Sequence, residues 1–420
     1  MQEQIITLAT PVFFVLIAIE MLVARRRNRS PYRLGDAISS ISLGVLSQIT
    51  GAFLTLFQFG IYAWLVTRIH LFDLSPQAPL VWLLALLLYD FCYYWQHRMG
   101  HEINLMWAAH VVHHQSEHYN LSTALRQTSS GALLSWLFYV PMALLGVPLR
   151  VFIVVALIDL LYQFWVHTEQ IGKLGWFDRV FVSPSNHRAH HGVNDLYLDK
   201  NYGGILILWD RLFGTFVEEH DAHPAVYGTR SPLRSWNPVL ANLDVYRGIW
   251  FTLRHASGWT ARWKALFGRP GWQPADAARQ PSATFDLARA PYQPAIAPRT
   301  ALFCLAQLGC LLLVTTHFLA AHGQLAVTTA AAYGLWLACG LWLIGGLMEA
   351  RPAYRWLNLA WLVATLVGII VAGEWFGLPL GTAARGTATT VTLGFALVLI
   401  VLPRAHASAA SAPAGQTDPA

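Results

Sequence analysis

Nine apolar segments dominate this chain, and most are long enough to cross a bilayer. They run over Ile5–Ala24, Ile38–Val66, Pro79–Trp95, Gly131–Leu149, Val151–Val166, Ala301–Ala321, Leu325–Met348, Trp356–Gly373 and Thr387–Leu402. A backbone in lipid must satisfy its own hydrogen bonds, so segments of this kind fold as helices. The predicted fold class is all-α: a multi-pass transmembrane helical bundle with a cytoplasmic His-rich helical cap. Ile38–Val66 is read as one tilted span or as one span plus an interfacial piece. Gly131–Leu149 and Val151–Val166 are read as a pair that crosses fully or dips in and returns.

Charge sets the expected orientation. Glu3 precedes the first segment, and Arg25, Arg26, Arg27 and Arg29 follow it. That order reverses a signal peptide's basic leader and places the arginines in the cytoplasm. The net charge of +6 raises nucleic acid as a partner. The basic residues instead collect beside apolar segments, as expected for a membrane protein, and no nucleic-acid motif accompanies them. Only 12% of the residues are charged, about half the share usual in soluble domains. Cys92, Cys304, Cys310 and Cys339 sit in apolar runs without metal or disulfide spacing, and read as buried hydrophobes.

Composition divides the chain into five stretches. Residues 1–78 carry anchor spans, and 79–220 form a histidine-rich core. Residues 221–300 mix Trp236, Trp250, Trp259 and Trp263 with Arg247, Arg254, Arg262 and Lys264, then pass into a proline-rich linker containing Pro270, Pro274 and Pro281. The Trp/Arg mixture suits helices lying in the headgroup layer. Residues 301–403 form a second bundle, whose expected role is anchoring or packing into a homo-oligomer. The Ala/Ser/Pro-rich tail 404–420 is expected to be disordered.

The chemistry lies in the histidines. Ten of the 17 fall between His97 and His191. His97-Arg-Met-Gly-His101 comes first, His110-Val-Val-His113-His114 second and His187-Arg-Ala-His190-His191 third, with His167 alone between them. Residues three and four apart share a helix face, so each cluster can bring imidazoles together. Eight histidines supply about four nitrogens for each of two ions, and His167 makes a ninth. Imidazole alone admits zinc, copper, iron or nickel. Without cysteine ligands a structural zinc site is disfavoured, and without HExxH so is the common zinc-protease arrangement. Oxidation of unactivated C–H bonds beside lipid chains favours two iron ions over redox-inert zinc. The remaining histidines, His70, His220, His223, His255, His317, His322 and His406, read as packing or surface residues, and His118 is left outside the ligand set.

These motifs resemble the fatty acid hydroxylase/sterol desaturase superfamily, whose pattern is HxxxH, HxxHH, HxxHH. Within it they are most similar to the alkylglycerol monooxygenase family. The likeness rests on His97 to Asn104, Trp107 to His114, Tyr119 to Gln127, Phe164 to Glu169, Pro184 to Gly192, Asp199 to Gly204 and Trp209 to Phe216. It implies a diiron, O2-dependent monooxygenase acting on a lipid substrate drawn from the bilayer. The implied metal ligands are His97, His101, His110, His113, His114, His187, His190 and His191, with His167 at a further family position. Glu102 matches a functionally important acidic residue, read as catalytic or cofactor-binding: a partner for an imidazole N–H or a contact with tetrahydrobiopterin. The electron donor implied is that pterin, with a ferredoxin-type donor as the alternative. Asp90, near the inner end of a span, is expected to pair with histidine or arginine; Asp159 and Glu169 are weaker candidates of the same kind. The alternatives are a hydroxylase or desaturase of sterols, carotenoids or acyl chains, a non-redox metal transporter or sensor, and a zinc hydrolase. A bacterial inner membrane is expected, or the endoplasmic reticulum if the chain is eukaryotic.

Overall fold

Local signals start the helices where the sequence provides them. Pro79, Pro184, Pro298 and Pro352 each occupy the first turn of a helix, where a missing N–H costs nothing. The computed structural model describes residues 2–274 and 285–402, with residues 2–9 given by backbone alone. Pro281 and the expected tail 404–420 lie outside the described residues, as do the first side chains of the Ile5–Ala24 segment.

The chain divides into two units, Met1–Arg234 with Pro238–Pro291, and Ser235–Asn237 with Tyr292–Ala420. The first unit holds α1 (Gln2–Arg26), α2 (Leu34–Gly51), α3 (Ile61–Arg68), α4 (Pro79–Glu102), α5 (Asn104–Ala108), α6 (Val111–His114) and α7 (Leu121–Ala124). It continues with α8 (Ala132–Leu144), α9 (Leu149–Trp165), α10 (Pro184–His191), α11 (Leu208–Phe213), α12 (Pro238–His255) and α13 (Gly258–Phe267). Stretches that composition separates therefore fold together. α3, α4, α8 and α9 share an apolar core of Tyr62, Tyr89, Tyr139, Met142, Val151 and Phe152. Ile17 of α1 packs with Leu121, Ala124 and Phe164. Leu43 of α2 meets Val112 and Ala241, which brings α12 onto the histidine region.

The second unit is a set of four helices: α14 (Pro298–Ala321), α15 (Val327–Met348), α16 (Pro352–Ala372) and α17 (Thr382–Val401). A two-residue hairpin, β1 (Glu374–Trp375) with β2 (Leu378–Pro379), links the last two. Gln307 and Asn358 exchange amide hydrogen bonds at 3.1 and 2.9 Å, which satisfies both buried side chains.

Among the described residues, α14 to α17 are long and apolar enough to cross a membrane. The Ile38–Val66 stretch is not one straight tilted span. α2 and the helical segment Leu56–Arg68 meet at 68°, and a turn of π-helix at Leu56–Gly60 leads into α3. α8, at 13 residues, is too short to span alone. The architecture is all-α and multi-pass.

Candidate metal centre

Four elements aim histidines at one place. α4 carries His97 and His101. α6 carries His113 and His114, with His110 at its N-cap. α10 carries His187, His190 and His191, and His167 follows α9. A capping box holds α10: the Ser183 hydroxyl accepts from the Asn186 N–H, and Asn186 accepts from the Ser183 N–H.

The nine rings fall into two groups. His97, His101, His110, His114 and His190 form one, and His113, His167, His187 and His191 form the other. Within each group the nearest nitrogens all lie within 4.8 Å of one another. All three i,i+4 pairs (97/101, 110/114 and 187/191) stay together, as helical geometry requires. His113 and His190 turn to the opposite group from the pair beside them, so each HxxHH motif serves both groups.

Backbone carbonyls fix the tautomers. His97 Nδ1 donates to Tyr202 O at 2.9 Å and His190 Nδ1 to Lys200 O at 2.9 Å. His113 Nδ1 donates to Arg126 O at 3.0 Å and His167 Nδ1 to Gln163 O at 2.7 Å. With Nδ1 carrying the proton, Nε2 presents a lone pair. The Nε2 atoms of His113 and His167 then face each other at 3.1 Å, and those of His190 and His114 at 3.2 Å. His187 Nε2 lies 3.1 Å from His167 Nε2 and 3.2 Å from His191 Nε2. Between His113 and His167, both held with the proton on Nδ1, two lone pairs that close repel unless a cation lies between them. Nitrogens about 2.1 Å from one ion sit roughly 3.0–3.4 Å apart for square to tetrahedral angles. Burial opposes protonation as the source of that cation: it pushes the His113 imidazole down to about 4 and His190 to about 3. His97 Nε2 and His101 Nε2 are buried with no hydrogen-bond partner. The donor set therefore fits a metal bound by nitrogen.

The sequence reading gave no role to the loop that orients His97 and His190. Asp210, fully buried, accepts from the Tyr202 N–H at 2.8 Å, the Gly203 N–H at 2.7 Å and the Thr215 hydroxyl at 2.6 Å. It thereby holds the carbonyl that orients His97. Asp210→Ala would leave the buried Tyr202 and Gly203 amides unpaired, an expected loss of about 2 kcal/mol or more. Thermal melting of the metal-free protein checks this.

Asp90 differs from expectation. It pairs with no histidine or arginine, but accepts from the Ile205 and Leu206 amides at 2.7 and 3.1 Å and from the Trp209 indole at 2.8 Å. The loop supplies enough N–H donors to hold the carboxylate without a cation. A Cβ at Gly204 would lie 2.5 Å from Asp159 Oδ1 and 3.0 Å from Asp90 Oδ1, so glycine permits this close approach. Asp159 itself accepts from Gln163. Glu102 lies outside both groups and accepts from Arg98 Nε at 2.9 Å, not from an imidazole. His118 also lies outside them.

The fatty acid hydroxylase family profile matches residues 82–215. Human alkylglycerol monooxygenase is 43% identical over 267 residues, 63% of this chain and 59% of the human protein. The zebrafish (Danio rerio) alkylglycerol monooxygenase is 36% identical over 349 residues, 82% of this chain and 77% of that protein. An ornithine lipid hydroxylase of Rhizobium tropici is 31% identical over 145 residues, 34% of this chain and 44% of its own length. The chain thus spans less than two thirds of the human relative. No solved structure matches it. Two histidine groups, the family profile and a relative matched over most of both chains lead to one conclusion: the chain belongs to the fatty acid hydroxylase superfamily, in the family of the alkylglycerol monooxygenases.

Proposed function

We propose that this protein is a membrane-bound monooxygenase that uses O2 and two iron ions, one per histidine group, to hydroxylate a C–H bond of a lipid. The carrying observation is the convergence of nine imidazoles into two groups, with the lone pairs of His113 and His167 facing each other at 3.1 Å. His97, His101, His110, His114 and His190 would hold one ion, and His113, His167, His187 and His191 the other. Bound iron would supply the activation of dioxygen.

The chain's own residues do the rest. The carbonyls of Tyr202, Lys200, Arg126 and Gln163 hold each ring in one tautomer and orientation. Burial of the rings keeps bulk water from the reacting carbon. Glu102, paired with Arg98 at the edge of the five-histidine group, is the residue proposed to contact the electron donor. The similarity to alkylglycerol monooxygenases favours tetrahydrobiopterin as that donor and the ether-linked carbon of an alkylglycerol as the target. Hydroxylation there consumes O2, two electrons and two protons and releases water. The hemiacetal formed breaks its C–O bond to give an aldehyde and glycerol. The arginines after α1 favour a cytoplasmic metal site. The likeness to the ornithine lipid hydroxylase supports a second reading, hydroxylation of another lipid chain.

Anaerobic purification with metal analysis, followed by turnover of an alkylglycerol with and without tetrahydrobiopterin, tests both readings. The expected result is about two irons per chain and pterin-dependent aldehyde release. Iron without ether cleavage under any donor removes the alkylglycerol reading and leaves hydroxylation of another lipid. Absence of bound iron removes both.

A further inference from the structure

α1 reads from sequence as an anchor, yet it carries Glu20, a buried carboxylate in an apolar helix. Such a group is costly to bury and needs a full set of donors. It has them. Glu20 accepts from the Thr168 hydroxyl, the Tyr32 hydroxyl and the Leu121 N–H, the last at 2.9 Å. Thr168 is the residue after His167. Leu121 lies two residues beyond Tyr119, whose ring stacks on His167 at 5.6 Å.

The same helix grips the loop at further points. Phe13 stacks on Phe164 with centroids 4.4 Å apart, and the Phe164 carbonyl accepts from the His167 N–H. Beyond α1, Arg27 donates to Gln170 O at 2.5 Å and Arg29 to Glu169 O at 3.5 Å. The N-terminal segment thus brackets His167 on both sides. His167 has no motif partner of its own: the other three members of its group come from α6 and α10, which the cluster spacing already fixes.

We propose that Glu20 is a positioning residue for His167, so that α1 is a working part of the four-histidine group and not an anchor alone. The inference rests on the metal reading above. Its consequence is selective: loss of the Glu20 contacts weakens the ion held by His113, His167, His187 and His191 and spares the one held by His97, His101, His110, His114 and His190.

The test uses metal-free full-length chain in detergent, titrated with cobalt(II) and followed by its visible absorption. His113→Ala and His101→Ala assign the two binding events to their groups. Thr168→Val and Glu20→Gln are expected to weaken the four-histidine event by about 10–100-fold, the usual cost of losing a supporting contact, with the five-histidine event unchanged. The Glu20 and Thr168 effects should be less than additive in the double variant, because the two substitutions share the Thr168–Glu20 contact. Parent affinity at both groups in Glu20→Gln and Thr168→Val would overturn the inference. So would a parallel loss at both groups, which is the mark of general destabilisation. If Glu20→Ala fails to fold, these two variants still decide. If the parent chain binds no cobalt at either group, the metal reading falls first and this inference with it.

Discussion

His167→Ala is expected to lower lipid turnover by on the order of a thousandfold or more while leaving the helical content intact, because under the proposed two-iron function it opens one of the two histidine groups. The ring closes the four-nitrogen set: its Nε2 is 3.1 Å from both His113 and His187. Nothing nearby replaces it, since the other members already stand in the same set. Removing it also leaves the Gln163 carbonyl without the imidazole N–H it accepts. Bound iron should fall by about half, because the five-histidine group is complete without it. His118→Ala and His223→Ala, both outside the two groups, should stay within about twofold of the parent. Turnover assays with iron analysis on the three variants give the comparison. Retention of parent activity and full iron by His167→Ala would remove His167 from the ligand set.

Which histidines come together was legible because helical spacing is a local property. His97 and His101, or His187 and His191, can be paired from their positions alone. Their division between two groups was not legible. His113 and His114 are adjacent in a four-residue helix, and which way each turns depends on where α4 and α10 arrive. Tautomers were hidden for the same reason. The carbonyl that sets His97 belongs to Tyr202, far along the chain and close only in the fold, and those for His190 and His113 come from loops whose path no motif announces. Asp90 drew an expectation of a cationic partner because a carboxylate near a span is costly. The fold answers that cost with backbone N–H groups, which no side-chain pattern announces. The all-helical class followed from the apolar segments. The 68° bend before α3 did not, because length and hydropathy carry no direction.

Acid should unfold the metal-free protein well before it unfolds a typical neutral-pH domain. Burial, the largest cause, pushes His113 down to about 4 and His190 to about 3, with the Arg126 and Lys200 carbonyls partly opposing it. Burial also lowers His110, His114, His167, His187 and His191. In the unfolded chain each imidazole titrates near about 6.5. Between that value and the folded one, the unfolded state binds more protons, so stability rises with pH there and is lost as pH falls. His113 alone would forfeit about 3 kcal/mol by pH ~4, at 1.36 kcal/mol per unit. A domain commonly has only about 5–15 kcal/mol in total. Glu169, Asp199, Asp210 and Asp244 work in the other direction: burial raises each carboxyl, so the folded form takes up a proton first as pH falls. These four carboxyls are outnumbered by the seven buried imidazoles. The melting temperature of metal-free protein is therefore expected to fall steadily from pH 7.5 to 5. Iron should hold it up until protons displace the metal, since only neutral imidazole binds. A melting temperature that stays level or rises over that interval would mean the rings are not buried neutral bases, and the facing lone pairs that call for a metal would no longer be required.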